Sequence, residues 1–363
     1  MAGHDDTLWE LEPHTQAKHE ILRRYLQAWF PILNKYHGTI RYIDGFCGPG
    51  RYTGGEPGSP LIALDAAADH HKKMTGKLVF WFIDERLDRI EHLRKELAGR
   101  TWPAHFDVHA EHGLFHEKIG PLVEAAERGT SQFGPAFVFI DPFGFKGIPF
   151  SLVARMLRQK RCEVLVTFMV DSINRFLEHP RDEVARHTVD AFGTEECVRI
   201  AEGGGDRIER LRILYQEQLG DAAKFVRFFE MRNRSNRLIY CLYFASNHSL
   251  GHVRMKEAMW RVDPQSGCVF SDATDPAQMI LFDQGIPSDL AQGMINRFRN
   301  SGVINVRSVR TYVENETAFL KKHMIAELKR LEDEGKIRVE DLKTDGEKRR
   351  KGSFPDDALL TFL

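Results

Sequence analysis

Three almost unbroken apolar runs constrain this chain most: LVFWFID at 78–84, AFVFID at 136–141 and VLVTFMV at 164–170. Strands that are apolar on both sides must be covered on both faces, which is the condition of a parallel sheet wrapped by crossover helices. TIRYIDGF at 39–46 reads as an earlier strand and HFDVHAE at 105–111 as a more polar one. Between them lie helical stretches at 85–98 (stripe Leu87, Ile90, Leu93, Leu97), 114–128 and 149–160. The alternation predicts a doubly wound α/β sheet with right-handed crossovers. A helix at 18–34 carries Ile21, Leu22, Tyr25, Leu26 and Trp29 and is expected to end or kink at Pro31, with residues 1–17 as a lead-in. Ser59 is expected to cap a helix at 59–74, with Pro60 at its first position. Residues 171–230 read as helix-rich, and two late strands, at 237–248 and within 262–272, around a short helix at 251–260 are expected to complete a mixed sheet.

A composition change near 272–290 divides the chain into an N-terminal domain, 1–275, and a C-terminal one, 285–363. The latter reads as helix, linker, helix (314–336) and two-strand hairpin: a winged helix-turn-helix. A chain of 363 residues has room for two cores. The formal net charge of -1 gives no whole-molecule signature of nucleic-acid binding. The five cysteines are scattered with no CxxC pair, as expected of reduced interior thiols in a cytoplasmic protein. The N-terminus is polar and acidic and no apolar run reaches 18 residues, so neither export nor a membrane is expected. The histidine pair at 70–71 falls in a helix, where neighbours face apart, and no metal is predicted.

YIDGFCGPG at 42–50 places small residues where a strand meets its crossover helix, the ligand-binding end of such sheets. Gly45, Gly48 and Gly50 would let the backbone approach a bound nucleoside or amino acid. Asp44 could orient loop amides or accept from the ammonium of an amino-acid cofactor. Asp84 and Glu85 end the next strand; an acid there can accept from both ribose hydroxyls, Asp84 if the strand stops at Ile83 and Glu85 otherwise, or either can cap the next helix. The Lys-Ser/Thr pair of an ATP-binding P-loop is missing, and the 40 positions from Asp44 to Asp84 are about twice the dinucleotide spacing. The extra length, RYTGGEPG at 51–58, could form a lid carrying Arg51, which could meet a carboxylate or a substrate phosphate.

FIDPFGFKG at 139–147 ends the fourth strand with Asp141, Pro142 and Phe143, followed by Phe145 and Lys146. A strand-tip carboxylate can hold an exocyclic amino group while an aromatic ring stacks on the base, and methyl transfer chiefly needs such alignment. These three residues are the candidate catalytic group. Phe145, Lys146, Asp171 and Asn174 are candidates for the acceptor pocket, and the alternative is that Asp141 caps a helix and the phenylalanines are core.

Together YIDGFCGPGRY, the acidic pair 84–85, FIDPFGFKG, LVTFMVDSINRF, YCLYFASNHSLGHVRMKEAMW and KHEILRRYLQAW resemble the three-Cys-motif partner (TcmP) family over nearly the whole chain. That family is similar to class I S-adenosylmethionine-dependent methyltransferases. The resemblance implies a class I methyltransferase-like α/β fold with a C-terminal winged helix and S-adenosylmethionine as cofactor. It also implies a partner that carries the three cysteines and looks like a radical enzyme. It sets Asp44–Gly50 with Asp84 and Glu85 at the cofactor, and Asp141–Phe143 where amino-methylating nucleic-acid enzymes carry Asp-Pro-Pro-aromatic. Asp-Pro-Phe keeps the carboxylate and the ring but loses one constrained backbone position, so it leaves transfer to a DNA or RNA base open without selecting adenine N6. In the last domain Lys348, Arg349 and Arg350 are the candidate phosphate contacts, although residues 301–363 hold 13 Lys/Arg against 12 Asp/Glu. Partner docking is the other expectation for that domain.

Overall fold

A computed structural model describes residues 6–70, 74–142, 144, 147–169, 182–273, 289–343 and 348–363. The chain forms two compact units, the first made of residues 1–258 and 269–274, the second of 259–268 and 275–363.

The first unit contains α1 (Pro13–Tyr36), β1 (Thr39–Asp44), α2 (Ser59–Ala68), β2 (Lys77–Asp84), α3 (Leu87–Ala98), β3 (Phe106–His112), α4 (Phe115–Glu127), β4 (Ala136–Ile140), α5 (Phe150–Arg158) and β5 (Cys162–Met169). After these come α6 (Asp182–Phe192), α7 (Glu196–Glu202), α8 (Arg207–Ala222), β6 (Phe225–Arg232), β7 (Leu238–Ser246), α9 (Ser249–Val262) and β8 (Val269–Ser271). The last residues of α9, from Met259, belong to the second unit. The eight strands run in the order β3-β2-β1-β4-β5-β7-β6-β8. Strands β1 to β5 are mutually parallel, β7 is antiparallel to both β5 and β6, and β8 joins β6 in parallel.

The pleat sorts the apolar residues onto two faces. Ile43, Val138, Ile140, Val164, Val166, Phe168 and Tyr243 pack with residues of α4, α5 and α8. On the other face Tyr25, Trp29 and Phe30 of α1 meet Phe137, Phe244 and Phe80 at ring separations of 5.1 to 6.0 Å. This packing changes the reading of the N-terminus. Helix α1 begins at Pro13 and runs through Pro31. A helix-interior proline costs about 3 kcal/mol. Burial of Tyr25, Leu26, Trp29 and Phe30, at about 1.5–3 kcal/mol per side chain, outweighs it. Two further expectations are corrected. The cap of α2 is Gly58, with Ser59 already helical. The region read as helical to 230 contains β6. The two late strands expected around a short helix are present as β7 and β8 on either side of α9, and β6 is added to them, pairing antiparallel with β7 through a turn in which Asn236 has φ 58°.

The second unit adds α10 (Asp289–Phe298), β9 (Ile304–Asn305), α11 (Val306–Glu316), α12 (Lys321–Asp333), β10 (Ile337–Lys343) and β11 (Ala358–Phe362), with sheet order β10-β11-β9. Its core gathers Leu290, Met294, Val309, Val313, Met324, Leu328, Leu331 and Leu360. The single helix expected at 314–336 is two. Thr317 Oγ1 donates to the Val313 carbonyl at 2.7 Å and closes α11, while Leu320 N donates to His323 Nδ1 at 3.1 Å and opens α12. No helix among the described residues is long and apolar enough to cross a membrane.

Candidate functional site

Strands β1, β2 and β4 end side by side in Asp44, Asp84 and Ile140, the last followed by Asp141. The glycine loop is fastened across them. Gly45 N donates to the Phe139 carbonyl at 2.9 Å and Cys47 N to the Ile83 carbonyl at 3.0 Å. Gly48 and Gly50 hold φ of 63° and 85°, a left-handed conformation that favours glycine. The loop also lets the protein's own side chains close in. A Cβ on Gly45 would lie 2.5 Å from the Phe115 ring, and one on Gly48 3.3 Å from Trp9.

The two acids ending β2 behave differently. Asp84 is buried; Oδ2 accepts from Gly48 N and Oδ1 from Arg86 N, both at 2.9 Å. Its carboxylate therefore holds the loop and the turn into α3. Glu85 is exposed. Asp44 is fully buried, and burial pushes its carboxyl up to about 7, although the neighbouring Ser59, Phe46 and Tyr42 donors pull the other way, Tyr42 Oη donating to Oδ2 at 3.4 Å. Its Oδ1 has no partner at hydrogen-bonding geometry. One orphaned carboxylate oxygen beside a glycine loop suits an ammonium, and a free acid at the end of β2 suits a ribose, so these residues fit an amino-acid nucleoside such as S-adenosylmethionine.

Residues 51–57 are folded on themselves and against the N-terminal segment. Arg51 and Pro57 bridge, Tyr52 N donates to the Glu56 carbonyl at 3.0 Å, and the Tyr52 ring is buried 5.7 Å from Trp9 and 5.6 Å from His19. Arg51 is paired with Glu96 and donates to the Gly55 carbonyl at 2.7 Å, so the carboxylate it meets is the protein's own.

Asp141 is the centre of a network that the sequence reading missed. Its Oδ2 lies 2.5 Å from Lys18 Nζ, and its Oδ1 accepts from Thr167 Oγ1 at 2.6 Å. Lys18 comes from α1, is 6% exposed and also lies 5.1 Å from the Tyr240 ring. Beside it His19 is buried and, with Lys18 adjacent, its pKa is lowered to about 3, so the imidazole is neutral. Pro142 is buried. The signal for Lys18 was a lysine on the apolar face of the first helix, one turn before Leu22 and two before Leu26, which nothing local distinguishes from a snorkelling surface lysine. Phe143, Phe145, Lys146, Asp171 and Asn174 lie outside the described residues. Among the described residues no group of three or more His, Cys, Asp or Glu could hold a metal ion.

In the second unit Arg349 is not a free phosphate contact. It is 7% exposed, its Nη2 lies 2.5 Å from Glu332 Oε1, and its Nη1 donates to the Ser353 carbonyl at 2.9 Å. Lys348 and Arg350 are exposed.

No family model and no curated protein matches the sequence. Among solved structures, a Legionella pneumophila protein, LPL1258, aligns over 62% of this chain and 84% of its own at 13% identity and a TM-score of 0.37. Human methyltransferase-like protein 13, in complex with SAH, aligns over 74% and 97% at 10% identity and a TM-score of 0.35. The plantazolicin methyltransferase BpumL, also with SAH, aligns over 64% and 86% at 9% identity and a TM-score of 0.32. The strand order, rather than these likenesses, carries the fold assignment: five parallel strands in the order 3-2-1-4-5, then an antiparallel hairpin entering as 7-6, with β8 added at the edge beside β6. The first unit is a class I methyltransferase-like α/β fold.

Proposed function

We propose that this chain is an S-adenosylmethionine-dependent methyltransferase acting on an amino group of a DNA or RNA base, and that it is a member of the three-Cys-motif partner family. The observation that carries the reading is the Asp141 carboxylate, held at the tip of β4 beside the glycine loop and the orphaned Asp44 oxygen. The cofactor supplies an electrophilic methyl group. Glu85 accepts from the ribose, while Asp84 keeps the loop in place. Asp141 holds the acceptor amino group by a lone pair left over from Lys18 and Thr167, since a carboxylate offers about four such sites. Lys18 and Thr167 fix its rotamer, so alignment is set before the acceptor arrives. Calorimetry tests the first half: Glu85→Ala should weaken S-adenosylmethionine binding about tenfold. No donor binding by the folded wild type would end the proposal. The second half is tested by transfer of labelled methyl to nucleic acid.

One observation favours a second reading, a non-enzymatic scaffold of the same fold. Both Asp141 oxygens are already engaged by Lys18 and Thr167. Donor binding with no transfer to DNA or RNA, alone or with a three-cysteine partner, would select it.

For the second unit we propose a winged helix. The order helix, strand, two helices and a closing hairpin on a three-stranded sheet supports it. Lys348 and Arg350 are the phosphate contacts and Arg349 is the brace beneath them. Replacing Lys348 and Arg350 by Ala should lower nucleic-acid affinity and flatten its salt dependence by up to about two counterions, with little change in melting. Arg349→Ala should instead destabilise the unit by about 2–3 kcal/mol, because it strands Glu332 and removes a buried stem. Equal melting of the two variants would refute this division of labour.

A further inference from the structure

Thr167 and Glu163 lie four residues apart on the same face of β5, so about 13 Å separates the Asp141 network from a second polar feature at the other end of the sheet. There a cavity of about 430 Å³ opens between α1, the start of β5 and the start of α9. This is the size of a small-ligand pocket. Its walls are Tyr25, Trp29, Ile32, Leu33 and Tyr36 of α1, with Leu250 opposite. Tyr36 and Leu250, 68% and 38% exposed, stand at its edge, so apolar surface is left in water there.

The acidic group lining this cavity is the Glu163 carboxylate, 6% exposed, among the basic side chains His37, Arg161, His248 and Arg254. Tyr25 Oη donates to Oε2 at 2.6 Å and Ser246 Oγ to Oε1 at 2.7 Å. These are hydroxyls, and no ion pair to Glu163 is formed among the described residues. Burial raises its pKa, with the hydroxyls, the Trp29 indole and the charge of the neighbouring His248 acting in the opposite direction. The donors that touch the carboxylate are thus neutral, and its charge is left without a cation in contact. Helix α9 crosses it so closely that a Cβ on Gly251 would lie 1.9 Å from Oε1, which fixes the carboxyl in place. Of the nearby basic side chains, His248 accepts from the Leu250 amide on Nδ1 at 3.3 Å, and Arg254 is paired with Glu257 at 2.6 Å. His37 has its pKa lowered by burial and by Arg161. Arg161 is exposed and disfavours a second positive charge on any ligand.

We infer that this cavity binds a small apolar monoamine, with its ammonium on Glu163 and its hydrocarbon body among Tyr25, Trp29 and Tyr36. Aromatic faces beside a desolvated carboxylate are the recurring recipe for an organic cation. The inference does not rest on the methyl-transfer reading.

The 363-residue chain is titrated by calorimetry with phenethylamine and with phenylacetate, two probes of like body and opposite charge. The amine should bind, the acid at least about tenfold more weakly, and Glu163→Gln should cut amine affinity about tenfold or more. Thermal melting checks that the isosteric variant is folded. Independently, the amine should change tryptophan fluorescence in the wild type, and Trp29→Phe should abolish most of that change. Equal affinity for both probes, no binding of the amine, or amine binding unaltered in Glu163→Gln would overturn the inference.

Discussion

Lys18→Met is expected to destabilise the first unit by about 3 kcal/mol, seen as a melting temperature roughly 6–10 °C lower, and to cut methyl transfer at least about 100-fold. The stability effect follows from burial. Methionine keeps the length and the apolar stem of lysine, so little packing is lost. What changes is that Asp141 keeps its charge and loses its cation, 2.5 Å away. Removing one partner of a buried pair costs about 3–5 kcal/mol. The lower end applies because the Asp141 side chain is 21% exposed and Thr167 still donates to it. A Lys18→Met, Asp141→Leu double variant should recover more than half of the loss, since it removes both charges. The rate effect belongs to the proposed function: without Lys18 the carboxylate is free to turn away from the acceptor. If Lys18→Met melts within about 1 °C of wild type, the pair does not hold the site together.

Asp44→Asn should raise stability and lower donor affinity at once. The folded protein keeps a proton on Asp44 up to about pH 7, whereas the unfolded chain releases it near the ordinary aspartate value of 3.8. A raised folded pKa makes the contribution fully present below the unfolded value and lost as pH climbs through the folded one. Wild type should therefore lose stability between about pH 4 and 7, at no more than about 1.4 kcal/mol per pH unit. Summed over that window the loss is on the order of a few kcal/mol. The asparagine does not titrate, so in urea melts it should be the more stable protein near pH 8 and should match wild type near pH 4. At the same time calorimetry should show S-adenosylmethionine binding weakened about tenfold or more, because an amide cannot neutralise an ammonium. This is the exchange of stability for function seen at binding sites. Wild-type stability that stays flat across this window would show that Asp44 is ionised as freely as in water.

How legible each feature was depended on how local its cause is. Buried strands were plain in LVFWFID and FVFID because both faces of the sheet demand apolar residues. Strand β6, FVRFFEMR, was hidden because Arg227, Glu230 and Arg232 interrupt the run; Arg227 lies 5.9 Å from Phe228, and Arg232 is paired with Glu230 on its own strand. The break between α11 and α12 was hidden because Phe319 and Leu320 continue an apolar stripe across residues that are not helical.

The sequence by itself determined the alternation of strands and helices, the glycine loop at the end of β1 and the strand-tip acids Asp44, Asp84 and Asp141. Each is written in a short string whose chemistry acts on its immediate neighbours. Only the tertiary structure decided what those acids do. Asp84 bonds to amides 36 and 2 residues away, Asp141 pairs with a lysine 123 residues earlier, and Arg349 turns inward to Glu332. A carboxylate takes its role from whichever donors the fold brings within about 3 Å of it, and that distance is set by packing between elements far apart in the chain.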